Sequence, residues 1–238
     1  MPSRRRKARE TALKALYQID LVQQAPGEAI EHAIAEDLYQ APIEGFARET
    51  AVRLVGNDPA AGDVEGFAHG VAGRLISSRR DQAGARQAVE MAAKEFLPVS
   101  REFPGLADEL GALCSRAFEK IESLLEIEQF ARTLVDRTLE HQGAIDGILS
   151  RYADNWSLDR MASLDRCILR FATCELLHFP EIPVNVSINE AIELAKKFST
   201  ERSCEFVNGI LDKVQRELKP VKSEARRRDS QTSTDGEG

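Results

Sequence analysis

Apolar residues recur at steps of three and four along most of this 238-residue chain, and strand-like alternation is absent. That period is the signature of amphipathic helices, so the chain is expected to be all-α. The first helix is expected from about Ser3 to Gln24. Ala8, Ala12, Ala15, Leu16, Ile19 and Val22 share one of its faces, and Pro26-Gly27 ends it. Helical pieces follow near 28–40, 67–77, 84–97 and 106–127. Asn57-Asp58-Pro59, Gly62, Phe96-Leu97-Pro98 and Phe103-Pro104-Gly105 punctuate them as turn signals.

The pattern sharpens from Phe130. Phe130, Leu134 and Leu139 read as one helix, and Ile145, Ile148, Leu149 and Tyr152 as the next. Trp156-Ser157 introduces a short helix with Ser157 as its cap. Ser163 is placed to cap a long helix from Leu164 to about His178, stopped by Pro180 and Pro183. Ser187-Ile188-Asn189-Glu190 fits a capping box, in which hydroxyl and carboxylate each take an orphan backbone amide. The last helix carries Val207, Ile210, Leu211, Val214 and Leu218 and closes at Pro220. Gly209 inside it costs about 1 kcal/mol relative to alanine, which a close helix crossing would justify. Residues 220–238, with Arg226-Arg227-Arg228, have almost no large apolar side chain and read as a disordered, charged tail.

Enzyme chemistry finds no support. There is no Walker lysine motif, and Gly66, Gly70 and Gly73 lack the G-x-G-x-x-G spacing and a preceding strand. His32, His69, His141 and His178 are scattered, without H-E-x-x-H, and no G-x-S-x-G elbow occurs. No catalytic residue, metal site or cofactor is expected. Cys114, Cys167, Cys174 and Cys204 form no Cys-x-x-Cys pair and read as reduced, largely buried thiols. No apolar run approaches the roughly 18 residues of a membrane span, and the basic start lacks the apolar stretch of a secretory signal. A cytoplasmic protein without membrane contact is expected.

Net charge is −7, yet Arg4, Arg5, Arg6, Lys7, Arg9 and Lys14 face only Glu10 within the first sixteen residues. The field at a phosphate is set within a Debye length of about 8 Å, so a small basic footprint on an acidic body is able to bind RNA. Arg5 and Arg9 are four apart, and Arg6 and Arg9 three apart, so a helix sets them on a shared face. Guanidinium groups take phosphate bidentately and stack on unpaired bases.

Two stretches together carry a resemblance. One is Arg4-Arg5-Arg6-Lys7-Ala8-Arg9-Glu10 followed by Ala12-Leu13-Lys14-Ala15-Leu16-Tyr17. The other contains Leu164-Asp165-Arg166-Cys167-Ile168-Leu169-Arg170, Ser187-Ile188-Asn189-Glu190-Ala191-Ile192-Glu193-Leu194-Ala195-Lys196-Lys197-Phe198 and Phe206-Val207-Asn208-Gly209-Ile210-Leu211-Asp212-Lys213. In this order they closely resemble the NusB family of transcription antitermination factors.

The resemblance implies a NusB-like fold of two packed helical subdomains over 1–219, with an enlarged helical insertion at about 38–128. It covers about 1–37 and 129–219. It implies non-catalytic binding of boxA-like single-stranded leader RNA of ribosomal RNA operons. The implied partners are a NusE-like small-subunit ribosomal protein and the transcription elongation complex with other Nus factors. Arg5, Arg6, Lys7, Arg9 and Lys14 fall at implied RNA contacts. Phe198 and Phe206 lie on the implied RNA side, where each either stacks a base or packs in the core. Asp165 and Arg166 match a pair near the implied partner surface. Two departures stand out: Arg202 replaces a commonly acidic residue beside the RNA surface, and Arg137 stands where the family has glycine. A role in ribosomal RNA modification or maturation is the alternative, as is a homodimer that masks the RNA surface.

Overall fold

A computed structural model of the chain describes residues 4–55, 63–77, 82–97, 105–152 and 157–232. Ser3, Trp156 and most of the expected turn signals, including Pro59, Pro98 and Pro104, lie outside the described residues. Among those described, the regular structure is helical throughout: α1 (Arg4–Val22), α2 (Pro26–Ile34), a π-helical turn (Ala35–Gln40), α3 (Ala41–Val55), α4 (Val64–Ser77), α5 (Gln82–Phe96), α6 (Leu106–Glu140), α7 (Gln142–Tyr152), a 3₁₀ turn (Leu158–Arg160), α8 (Ser163–His178), α9 (Val184–Phe198) and α10 (Glu201–Thr232). The expected all-α class holds.

The chain divides into two compact units, one of Met1–Ala29 with Phe130–Gly238, the other of Ile30–Gln129. In the first, α8 is the central helix, packed by α1, α7, α9 and α10. Ile168, Phe171 and Ala172 of α8 are fully buried, as are Ala8 and Ala12 of α1, Leu149 of α7 and Leu211 of α10. Alanines on α1 let two backbones approach closely. Gln23, in the left-handed region at φ 57°, turns the chain out of α1, and its Nε2 donates to the Asp20 carbonyl at 2.9 Å. Pro26 opens α2 at a position where its missing N–H costs nothing.

In the second unit α4 packs on α3 and α5. Phe67, Val71 and Leu75 of α4 are fully buried, with Ile43 of α3 and Val89 of α5. Residues 41–55, not expected as a helix, form α3. Pro42 is unable to donate to the Leu38 carbonyl and crowds it, and the wider π turn just before it takes up the mismatch. Within that turn buried Tyr39 donates its hydroxyl hydrogen to Glu128.

Several expected boundaries move. The separate helices expected at 106–127 and from Phe130 are one helix, α6, because Ile127-Glu128-Gln129 offers no breaker. Ser163 lies inside α8, whose cap position is Ala162. Ser187 is not a cap: α9 starts at Val184 with Pro183 at the cap position. The Ser187 hydroxyl is buried without a partner, and Glu190 pairs elsewhere. The Ser157 side chain makes no cap hydrogen bond either. Gly209 is exposed, with nothing within 4 Å of an added Cβ, so no close crossing accounts for it. Nor does the chain leave helical structure at Pro220: α10 runs on to Thr232, with the helix formers Glu224, Ala225, Arg226, Arg227 and Arg228 in succession.

Candidate nucleic-acid interface

The N-terminal turns of α1 are fastened by ion pairs to α8 and α9. Residues 8–13 of α1 are buried on every side, so Arg9, only 1 % exposed, needs an internal anion. Glu175 of α8, equally buried, supplies it: Arg9 Nε and Nη2 donate to its two carboxylate oxygens at 2.7 and 3.0 Å. One turn earlier, Arg6 Nε and Nη2 donate to Glu190 of α9 at 2.9 and 2.7 Å. Lys197 at the end of α9 donates to Glu10 at 2.7 Å. α1 is thereby tied to both α8 and α9.

This geometry separates the basic residues that sequence spacing had grouped. Arg5 is exposed, its guanidinium carbon 4.3 Å from the Phe130 ring centroid. Arg6 and Lys7 are partly exposed, and Lys14 and Tyr17 are half-buried. The Arg9 guanidinium is enclosed and its fork is filled by Glu175, so it ties α1 to α8.

On α9, Phe198 is 46 % exposed, with the Lys197 ammonium 4.9 Å from its ring centroid. Its core-packing alternative is thereby removed. Arg202 is exposed near the start of α10, and Phe206, one turn on, is half-buried. The α9–α10 turn is held firmly: Thr200 Oγ1 accepts from the Ser203 backbone N–H at 3.2 Å, capping α10. Ser199 and Ser203 both donate to Asp165, at 2.7 and 2.8 Å. Asp165 is therefore buried and engaged by the α9–α10 turn.

Arg166, beside Asp165, is only partly buried. It donates to both carboxylate oxygens of Asp20 and, at 2.9 Å, to the Leu158 carbonyl. Arg170 joins this network, donating to Asp20 at 2.7 Å and to both oxygens of Asp146 at 2.8 Å. Burial acts to raise the Asp20 carboxyl, but the hydrogen bonds and charge of Arg166 and Arg170 outweigh it and hold it below its ordinary value. Burial pushes the Cys167 thiol up to about 12 and the Cys174 thiol up to about 11, so both stay protonated. The expectation of unpaired, buried thiols holds for Cys114, Cys167 and Cys174, whereas Cys204 is partly exposed. Among the described residues no group of His, Cys, Asp and Glu is arranged to hold a metal ion, and no helix is long and apolar enough to cross a membrane.

The sequence model of the NusB family matches residues 86–216. The chain belongs to the NusB family. The match takes in α5 and α6 as well as α7 to α9, so it reaches into residues read from the sequence as an insertion. The transcription antitermination protein NusB of Thermodesulfovibrio yellowstonii is 44% identical over 112 residues, 47% of this chain and 73% of that protein. Its counterpart from Bacillus subtilis is 46% identical over 103 residues, 42% of this chain and 79% of the relative. A chain in the crystal structure of a plectonemic RNA supercoil covers 91% of this chain and 97% of its own length, with a TM-score of 0.52 and 18% identity. At that identity the likeness shows the shared fold alone.

The ion pairs that Glu175, Glu190, Glu10 and Lys197 make here were not expected from the sequence. Arg9 and Glu175 are 166 positions apart, and Arg6 and Glu190 are 184 apart. No local spacing signals such pairs. Arg137 donates to the His178 carbonyl at 2.6 Å and so caps the C-terminus of α8.

Proposed function

We propose that this chain is a non-catalytic, RNA-binding antitermination factor that takes boxA-like single-stranded leader RNA of ribosomal RNA operons. It acts with a NusE-like small-subunit ribosomal protein, inside a transcription elongation complex with other Nus factors. The observation that carries this reading is the pairing of α1 with α9. Arg5, Arg6 and Lys7 reach solvent from a helix that ion pairs fasten to α8 and α9, and exposed Phe198 and Arg202 lie around the end of α9 that Lys197 ties to α1. Fixed cations beside an exposed ring are what unpaired nucleotides need, because phosphates take the charge and bases take the ring face. Arg9 contributes by holding α1 in place rather than by touching RNA.

The test is binding of a boxA-like oligoribonucleotide, with and without the ribosomal protein, across a salt series. Four phosphate contacts, from Arg5, Arg6, Lys7 and Arg202, give a log–log slope near −3, at about −0.7 per contact on single strands. Saturating ribosomal protein raises RNA affinity, because a joint surface adds contacts to a small basic footprint. A slope near zero, or the same affinity with and without the partner, overturns the reading.

A further inference from the structure

Starting from Arg5, a row of planar groups leads away from the α1–α9 face across the unit formed by Met1–Ala29 and Phe130–Gly238. The exposed Arg5 guanidinium lies over Phe130 at 4.3 Å. Phe130 meets Phe179 edge to face, with centroids 5.7 Å apart. The exposed Arg137 guanidinium lies over Phe179 at 5.1 Å. The row continues in His141 and His178, whose rings stack at 3.9 Å and 11°. Both phenylalanines are nearly buried, at 9 % and 4 % exposure, so they are a floor and the arginines are the surface.

An exposed arginine ordinarily spends entropy to adopt one pose. Arg137 is held twice, by the Phe179 ring and by its 2.6 Å bond to the His178 carbonyl. A guanidinium laid on a ring keeps its outer face open, and an unpaired base stacks on that face. Asp136 and Glu140 flank Arg137 on α6, with Glu140 3.7 Å from His141 Nε2. Net charge on this strip is therefore small. Its chemistry suits a planar base more than a bare phosphate.

We propose that the strip from Arg5 through Arg137 is an extension of the RNA interface that stacks unpaired bases flanking the core element. This rests on the RNA-binding reading above, and it assigns Arg137 to the added contact. The experiment compares three oligoribonucleotides: a bare boxA-like core, the same core with single-stranded uridine flanks, and the same core with abasic flanks. The wild-type chain gains about tenfold in affinity from uridine flanks, the size of one base stack, and little from abasic ones. R137A abolishes that gain and leaves bare-core binding unchanged. Because R137A also removes the α8 cap, R137K is measured beside it: lysine carries a donor on a long chain toward the His178 carbonyl without the planar guanidinium. R137K also loses the flank gain, at an unchanged melting temperature. Equal gains from abasic and uridine flanks, or a gain that survives in both variants, overturns the strip. If the wild-type chain binds none of the three, the RNA-binding reading itself falls.

Discussion

Arg5 and Arg9 stand four residues apart in one basic run, yet they have opposite fates. Arg9 is enclosed with Glu175, and removing one member of a buried ion pair strands the other charge. Arg9→Ala is expected to destabilise the fold by about 3–5 kcal/mol, read by chemical denaturation. Any loss of RNA binding in that variant follows from the loosened α1. Arg5→Ala is expected to leave stability within about 0.5 kcal/mol and to weaken RNA binding directly. Equal stability losses in the two variants would contradict this division. Asp20 is the second residue whose role is energetic. Its carboxyl titrates below its ordinary 3.8 in the folded protein. The unfolded chain therefore takes up this proton first as pH falls, so the stabilisation is complete above the unfolded value and is lost as pH drops through the folded one. Asp20→Asn is expected to cost about 2 kcal/mol at neutral pH, since it leaves Arg166 and Arg170 short of an anion. Acid-unfolding curves of wild type and variant should converge at the lowest pH. Curves that stay parallel throughout would remove Asp20 from that role.

Among the elements, α9 shows how a good local motif is outbid. Ser187-Ile188-Asn189-Glu190 has the capping-box spacing, but the helix begins a turn earlier, at Val184 behind Pro183. Pro183 favours an extended residue before it and stands ready at a helix start, while Glu190 gains two short bonds to Arg6. The Ser187 hydroxyl is left buried and unpaired. Ser187→Ala is therefore expected to be neutral or to stabilise by about 1 kcal/mol, since it relieves an unsatisfied polar group. A helix cap would instead lose about 1 kcal/mol. Thermal melts of the variant distinguish the two signs.

For the molecule as a whole, the unit of Ile30–Gln129 has its own buried side chains in α3, α4 and α5. A chain in which a short Gly/Ser linker joins Ala29 to Phe130 is expected to keep a cooperative thermal transition and RNA binding, since doubling a loop costs only about 0.6 kcal/mol. Aggregation of that chain, or a broad melt, would show the two units to be one cooperative structure.

The amino-acid order by itself determined the all-α class, the existence of most helices and the basic start of α1, because period and composition are local properties of the chain. It also carried the family, through residues that lie in recognisable order. Tertiary structure alone decided which arginine faces water. Arg5 and Arg9 are chemically identical in the sequence, and only the approach of α8 encloses one of them with Glu175. The same holds for Asp165, buried by hydroxyls from the α9–α10 turn, and for Phe198, left exposed at the end of α9. Burial and charge pairing depend on groups far off in the sequence, 34 and 38 positions for Asp165 and 166 for Arg9, and no local pattern encodes where those groups arrive.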